Sequence, residues 1–547
     1  MNWSILKYRR PDSAGVRSSV AIILTIVLMI GALAGCGGDS DSYDTTFRVL
    51  SGSENQALEP IIQDFAKDEK ITVEFTYQGS IDIMRELANG ATSRYDAVWP
   101  ANSMWILLGD TTGTVQLSSS IMRSPVVFGV KKSVAEQLGW IGADVTVNDI
   151  LAAAETDQLT FMMANAAQSD SGAAAYLGFL YAFAGHPDLL TSADLQSPEV
   201  RDKIKRILGT VSRTAGDSGY LKDLFIQEYD SYDAIVNYES AIIETNQALV
   251  QSGREPLYVL YLRDGTAIAD SPFAYIDKGD AEKRVTFQQL QAHLLSDDVQ
   301  HQLLALGRRA GLGINPDPAL VDPGVFNADW GIDTQRILTP INIPDAVVVK
   351  EALTLYQTAL RKPSLTVLAL DFSSSMIDAG EGELKVAMRM LLDQESAAQY
   401  LLQASPEDIT IIIPFNDKVM NVWMVEGDDP AQFQSLIGQI GATPARGGTD
   451  IYSPIIEGLK LIKEHGTDGY SPAVVVMTDG KSNDGKDFDD LSRYIALNGL
   501  ESVPIFAITF GNASVDQLTE IANVSAGAVF NGNDDLVSAF RTVRGYT

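Results

Sequence analysis

The chain is poor in the side chains that build redox centres, soft-metal sites and nucleophile–base pairs. Its 547 residues include one cysteine, Cys36, and four histidines. One thiol cannot close an internal disulfide. His186, His293, His301 and His465 show no His-Glu-x-x-His spacing, which excludes a zinc-hydrolase helix. Positive charge is scarce as well: 40 Lys and Arg stand against 71 Asp and Glu, for a formal charge of −31. Such a surface repels nucleic-acid backbones and anionic lipid and tolerates divalent cations. No internal repeat is present, and the two halves share no motif. Gly480, Lys481 and Ser482 look like the end of a phosphate loop, but Val475 occupies the position of that loop's first glycine. An enzyme is therefore not expected.

What the chain does have is a globular composition, with 46% hydrophobic and 20% charged residues over a length that one core cannot serve. About two to four domains are expected. Lys7, Arg9, Arg10 and Arg17 precede an apolar run at 20–35, whose small residues Ala34 and Gly35 stand just before Cys36. This order makes 1–36 a secretory signal, and it resembles bacterial lipoprotein signals. The resemblance implies Cys36 as the lipidated first residue of a mature chain that faces outward without disulfides. An uncleaved membrane anchor is the rival reading, although the run falls short of the ~20 residues a span needs. Residues 37–44, rich in Gly, Ser and Asp, read as a flexible tether.

The most informative stretch is 365–376. An apolar, β-prone run ends at Asp371, and Ser373 and Ser375 follow in Asp-x-Ser-x-Ser spacing. One carboxylate and two hydroxyls supply part of the octahedral oxygen shell that a hard cation such as Mg²⁺ takes. Downstream, Gly447, Gly448, Thr449 and Asp450 form a Gly-rich loop, and the apolar run 474–477 ends in Thr478, Asp479 and Gly480. These three segments resemble the metal-ion-dependent adhesion site (MIDAS) of von Willebrand factor A (VWA) domains, over residues 364–547. The resemblance implies a doubly wound, Rossmann-like α/β domain with the metal at the strand C-ends. By it, Ser373 and Ser375 bind through hydroxyls, Thr449 joins when a partner is engaged, and Asp371 and Asp479 act directly or through water. The cofactor would be Mg²⁺, or Mn²⁺ or Ca²⁺, with a coordination position left open for an acidic residue of a protein partner. Ser374 stands where many relatives have Gly, at a position that is not a ligand. Asp450, Asp484, Asp487, Asp489 and Asp490 lie just beyond, as selectivity residues or as a solvated loop. The pattern continues with helices at 382–403, 431–440, 450–464, 488–498, 514–525 and 535–543. Strands are expected at 409–413, 419–424, 473–478 and 503–509, apolar throughout as a sheet buried on both faces requires.

The first half alternates strand, Gly/Ser turn and helix. Strands at 47–50, 71–77 and 95–99 run into Ser51-Gly52-Ser53, Gly79-Ser80 and Asn102-Ser103. Helices pass through Leu58, Ile61, Ile62 and Phe65, then through Ile83, Met84 and Leu87. This alternation implies a parallel α/β sheet with ligands near the strand C-ends. Together with the phrases at 79–83, 124–128, 165–172 and 270–275, the layout resembles bacterial extracellular solute-binding proteins over 45–345. That implies a two-lobed periplasmic-binding-protein-like module, the chain crossing near Ser124 and returning between Tyr258 and Ser271. Ser51, Ser53, Ser80, Asn102, Ser103, Ser169 and Ser171 fall at strand ends or helix starts, where hydroxyls and free N–H groups can hold a small anion or polar solute. Ser and Asn also cap helices, and a solute-binding fold reduced to a spacer or docking module stays open. Between the halves, 346–363 reads as a connecting helix with Asp345 as N-cap and Pro363 as stop. Its face of Val348, Leu353, Tyr356 and Leu360 is expected to pack on a domain.

Together these readings describe a non-catalytic lipoprotein, membrane-anchored on the extracytoplasmic side, that binds a protein partner through a metal in adhesion or complex assembly. The alternative is a transport receptor for a small anion or polar solute, with the VWA domain as an accessory.

Overall fold

Branched and aromatic residues fill the segments that pair, and Gly, Ser, Asp or Pro stand where pairing stops. The computed structural model describes residues 46–546 except 312, 378, 512, 526 and 534–535; the expected signal 1–36 with Cys36 and the tether 37–44 lie outside the described residues. Strands β1 (Thr46–Gly52), β2 (Thr72–Gln78), β3 (Ala97–Trp99) and β4 (Val115–Ser120) begin a first lobe. At 121–123 the chain crosses to a second lobe made of β5 (Ser124–Lys131), β6 (Phe161–Ala164), β7 (Val211–Ala215), β8 (Ala234–Tyr238), β9 (Leu257–Leu260) and β10 (Ile268–Ala269). It returns at 270–271 to place β11 (Pro272–Ile276) in the first sheet. Both crossings fall where the sequence puts them. The first sheet runs β2-β1-β3-β11-β4, and the second runs β10-β5-β8-β6-β7 with β9 also on β5. β1 is parallel to β2 and β3, so the turns after all three strands open on one edge, toward the second lobe.

The connecting helix is Ala346–Leu355, widened at its end into a π turn, Tyr356–Leu360. Asp345 makes no side-chain cap, but the expected packing is present. Val348, Leu353, Tyr356 and Leu360 are buried against the second lobe, and the Tyr176 hydroxyl donates to the Ala352 carbonyl at 3.0 Å.

The third sheet holds β12 (Ser364–Asp371), β13 (Ile409–Phe415), β14 (Trp423–Glu426), β15 (Ser471–Thr478), β16 (Ile505–Thr509) and β17 (Val529–Asn531), in the order β14-β13-β12-β15-β16-β17. Every neighbouring pair is parallel except β13 and β14. All residues of β12 and β13 are buried, which explains their largely apolar character. The expected helix 382–403 is instead two, Ala379–Leu392 and Gln394–Ala398, because the Asp393 carboxylate accepts from the Ser396 N–H at 3.1 Å and starts a new helix. The expected strand 419–424 begins only at Trp423, after residues 416–418 turn back on themselves through the Asn416 N–H and the Lys418 carbonyl.

Where this module begins, Asp408 anchors it. It accepts from Arg361 at 3.0 and 2.5 Å and from the Ser364 N–H at 2.7 Å. Burial works to raise this carboxyl, but Arg361 and Arg544 hold it down at about 2.

Candidate metal centre and interlobe cleft

In the third sheet the chain leaves β12 toward β13 on one side and comes back on the other side as β15, so the C-ends of β12 and β15 form a topological switch point. Asp371 ends β12 and is fully buried. One of its oxygens accepts from the Ser373 N–H at 2.7 Å and the other from the Thr478 hydroxyl at 2.5 Å. Burial pushes this carboxyl up to about 6, against those two donors, and nearby Asp479 adds to the rise. The Ser373 and Ser375 hydroxyls lie 2.9 Å apart, and Ser375 donates to Asp479 at 2.6 Å. Asp479 is also raised, chiefly by burial.

Thr449 arrives from the Gly-rich loop, which main-chain bonds fix in place. The Ser374 N–H donates to the Gly447 carbonyl at 3.0 Å, and the Thr449 carbonyl accepts from the Asn483 N–H at 2.9 Å. Gly480 closes the set. A Cβ there would lie 3.3 Å from the Ser375 hydroxyl and 3.6 Å from the Thr449 hydroxyl, so the two oxygens face the same small space. All five residues expected from the sequence therefore meet at one point. Among the described residues no group of three His, Cys, Asp or Glu is placed to hold a metal, since this set has only two carboxylates.

The residues expected to line the cleft behave differently. Ser51 is buried, faces the Gly52 and Trp99 carbonyls, and accepts from Asn55 at 3.2 Å. The Ser80 hydroxyl accepts from the Ala101 N–H at 3.4 Å. Asn102 caps its helix by accepting from the Met104 N–H at 2.9 Å, and the Ser103 N–H donates to Asp270 at 2.7 Å. The buried Ser169 and Ser171 hydroxyls pair with each other at 3.3 Å. Of the seven, Ser53 faces open space, and it reaches across the lobes to Asp217 at 3.4 Å.

Two cavities share Ser53 and Asp217. The larger, of about 400 Å³, lies between the lobes beside Glu54, Lys222, Glu244 and Arg308. These four residues escaped the sequence reading, although Asp217, at the end of β7 and the cap of the helix Ser218–Gln227, repeats the strand-end pattern used for the others. Both cations are committed to Glu244, Lys222 at 2.8 Å and Arg308 at 2.6 Å. The buried Oε1 of Glu54 meets no donor from another residue, and burial pushes this carboxyl up to about 8. Behind it, Asp170 accepts from Trp105 of the first lobe at 2.6 Å and from Tyr238 at 3.0 Å. Burial raises Asp170 to about 6. The lobes touch closely here: a Cβ on Gly79 would lie 2.5 Å from the Gln168 carbonyl oxygen.

A two-lobed α/β module followed by a sheet with a hydroxyl-rich switch point defines a binding module joined to a Rossmann-like domain. Residues 47–309 match the family model of bacterial extracellular solute-binding proteins, and residues 367–540 match that of the von Willebrand factor type A domain. The chain is thus an extracellular solute-binding module followed by a VWA domain. Similar solved structures include the periplasmic binding protein AfuA from Actinobacillus pleuropneumoniae with exogenous fructose-6-phosphate bound, 13% identical, covering 57% of this chain and 97% of that one, with a TM-score of 0.42. The sulfate-binding protein SubI from Mycobacterium tuberculosis H37Rv is 16% identical, covering 55% and 93%, with a TM-score of 0.36. A von Willebrand factor type A protein from Catenulispora acidiphila is 16% identical, covering 34% and 43%, with a TM-score of 0.29. No curated protein matches the chain.

Proposed function

We propose that the VWA domain binds a divalent cation, Mg²⁺ or its near equivalents Mn²⁺ and Ca²⁺, and uses it to hold an acidic residue of a protein partner. The protein acts by binding rather than catalysis, anchored through a lipid on Cys36 at the extracytoplasmic side, in adhesion or complex assembly. One observation carries this reading: Ser373, Ser375 and Asp479 are joined through their side-chain oxygens, Asp371 is held next to them by the Ser373 N–H, and the Ser375 and Thr449 hydroxyls both lie within 4 Å of where a Cβ on Gly480 would sit. An all-oxygen set suits a hard cation and not a soft one. Ser373, Ser375 and Thr449 would offer hydroxyls, while Asp371 and Asp479 would balance the charge. When bound, the metal supplies an electrophilic position for a partner carboxylate. Thr478 and the Ser373 N–H keep Asp371 turned toward the site. Calorimetric titration of the full chain with Mg²⁺ and Mn²⁺ should find one site that Asp371→Ala removes. Equal binding by the variant, or partner capture indifferent to metal, would overturn the reading.

A second reading is supported by the cavity of about 400 Å³ between the lobes. It makes the protein a receptor for a small polar solute. Because Lys222 and Arg308 are both spent on Glu244, the lining favours a neutral or cationic solute over an anion. Thermal-shift measurements on the full chain with sugars, polyols, amines and oxyanions test it; stabilisation by oxyanions alone would contradict the charge argument.

A further inference from the structure

We propose that the end of the VWA domain, helix Leu536–Arg544 with Tyr546, is a strap that holds the two lobes of the solute-binding module closed. The end of the chain touches both lobes by different means. On the first lobe, Arg541 pairs with Asp82, which also accepts from Arg85 at 3.3 Å. Both guanidiniums stack on the Tyr400 ring of the VWA domain, Arg85 at 4.2 Å and Arg541 at 4.6 Å, and Arg85 donates to the Gln399 carbonyl at 2.9 Å. On the second lobe, the Tyr546 hydroxyl donates to Asp217 at 2.7 Å, and its ring lies 4.8 Å from that of Tyr220. A Cβ on Gly216 would lie 2.6 Å from the Tyr546 ring, so this strand end is shaped to the aromatic.

These contacts meet around the smaller cavity, of about 140 Å³. Its walls are Gly79 and Asp82 from the first lobe, Gln168 and Asp217 from the second, and Ser538 and Thr542 from the strap. Asp217 therefore holds Ser53 of the first lobe and Tyr546 of the strap at once. The lobes are joined through short crossings at 121–123 and 270–271 and by a longer return of the chain after Ala305 that reaches the second lobe by Pro340; the two short crossings suit a hinge. Rotation about such a hinge separates Asp82 from Asp217, and the strap spans that gap. Opening must either strip Arg541 from Asp82, leaving a largely buried guanidinium without its carboxylate, or pull Tyr546 out of its seat on Gly216. The VWA domain thereby fixes the state of the larger cavity, which it does not line.

Hydrogen exchange on the full chain tests this. In Arg541→Ala combined with Tyr546→Phe, amides at 79–82, 168–172 and 216–220 should exchange about tenfold faster, while β12 and β15 keep their protection. Wild-type exchange at those interlobe segments, with 536–546 alone loosened, overturns the strap. If the double variant also loosens β12 and β15, Tyr546→Phe alone decides, because it removes one hydroxyl and keeps the ring. Faster exchange at both 79–82 and 216–220 then supports the strap, and unchanged exchange at both overturns it.

Discussion

Asp371 and Asp170 are two carboxylates buried near the starts of helical segments, each pushed up to about 6 by burial, yet they serve different ends. Asp170 has one oxygen on Trp105 and the other on Tyr238, residues of two different lobes, so its hydrogen bonds go into holding the cleft together. Asp371 stands beside a chain of oxygens, Ser373 to Ser375 to Asp479, that hydrogen-bond to one another. Protons alone link those oxygens, and a cation can take their place without orphaning a main-chain group. A hydroxyl whose partner is the main chain belongs to the architecture. A hydroxyl that shares its proton with a carboxylate of the same set, as Ser375 does with Asp479, is available for a cation.

The sharpest break of this comparison is substitution of the two carboxylates. Asp371→Ala should weaken Mn²⁺ binding, read by electron paramagnetic resonance, at least about 100-fold. Asp170→Ala should leave that affinity unchanged and lower unfolding free energy by about 3 kcal/mol in denaturant titration, since Trp105 and Tyr238 both lose a buried acceptor.

Next in size is a pH effect. Glu54 moves from 4.5 to about 8 on folding, so the native state holds its proton more tightly than the unfolded chain does. Stability therefore falls as pH rises from about 4.5 to about 8, and Glu54→Gln should flatten that slope in calorimetry. Asp408 has the opposite sign. Held at about 2, it contributes stability above its ordinary 3.8 that is lost as pH falls toward 2, and Asp408→Asn should remove this acid limb.

The smallest effect is Ser51→Ala, expected to cost about 1 kcal/mol and to change neither metal nor solute binding. A large loss of solute affinity in that variant would place Ser51 with the ligand residues after all.

The approach of Asp371 and Asp479 was legible because each sits at the end of an apolar run, and strand ends in a doubly wound sheet are brought together by topology; Thr449 is carried there by its Gly-rich loop. The helix break at Asp393 was missed, although Asp393 with Ser396 three residues on is a local cap signal. β17 was missed too, because three residues carry no period. The cleft was misjudged in emphasis for a different reason. Local sequence shows that Ser51 or Ser169 ends an element, but not that Asn55 or Ser171 will take its hydroxyl. Contacts such as Trp105 to Asp170 and Tyr546 to Asp217 join residues far apart in the chain, and no spacing rule connects them.

Gly79 carries a mechanical consequence. With its Cα hydrogen facing the Gln168 carbonyl and no room for a methyl group, the two lobes already rest backbone on backbone. For the hinge proposed above, this contact is a stop that the two lobes already meet. The hinge's travel is one-directional, toward opening, and Gly79→Ala would act as a wedge that props the jaws ajar while leaving every polar group of the cleft in place.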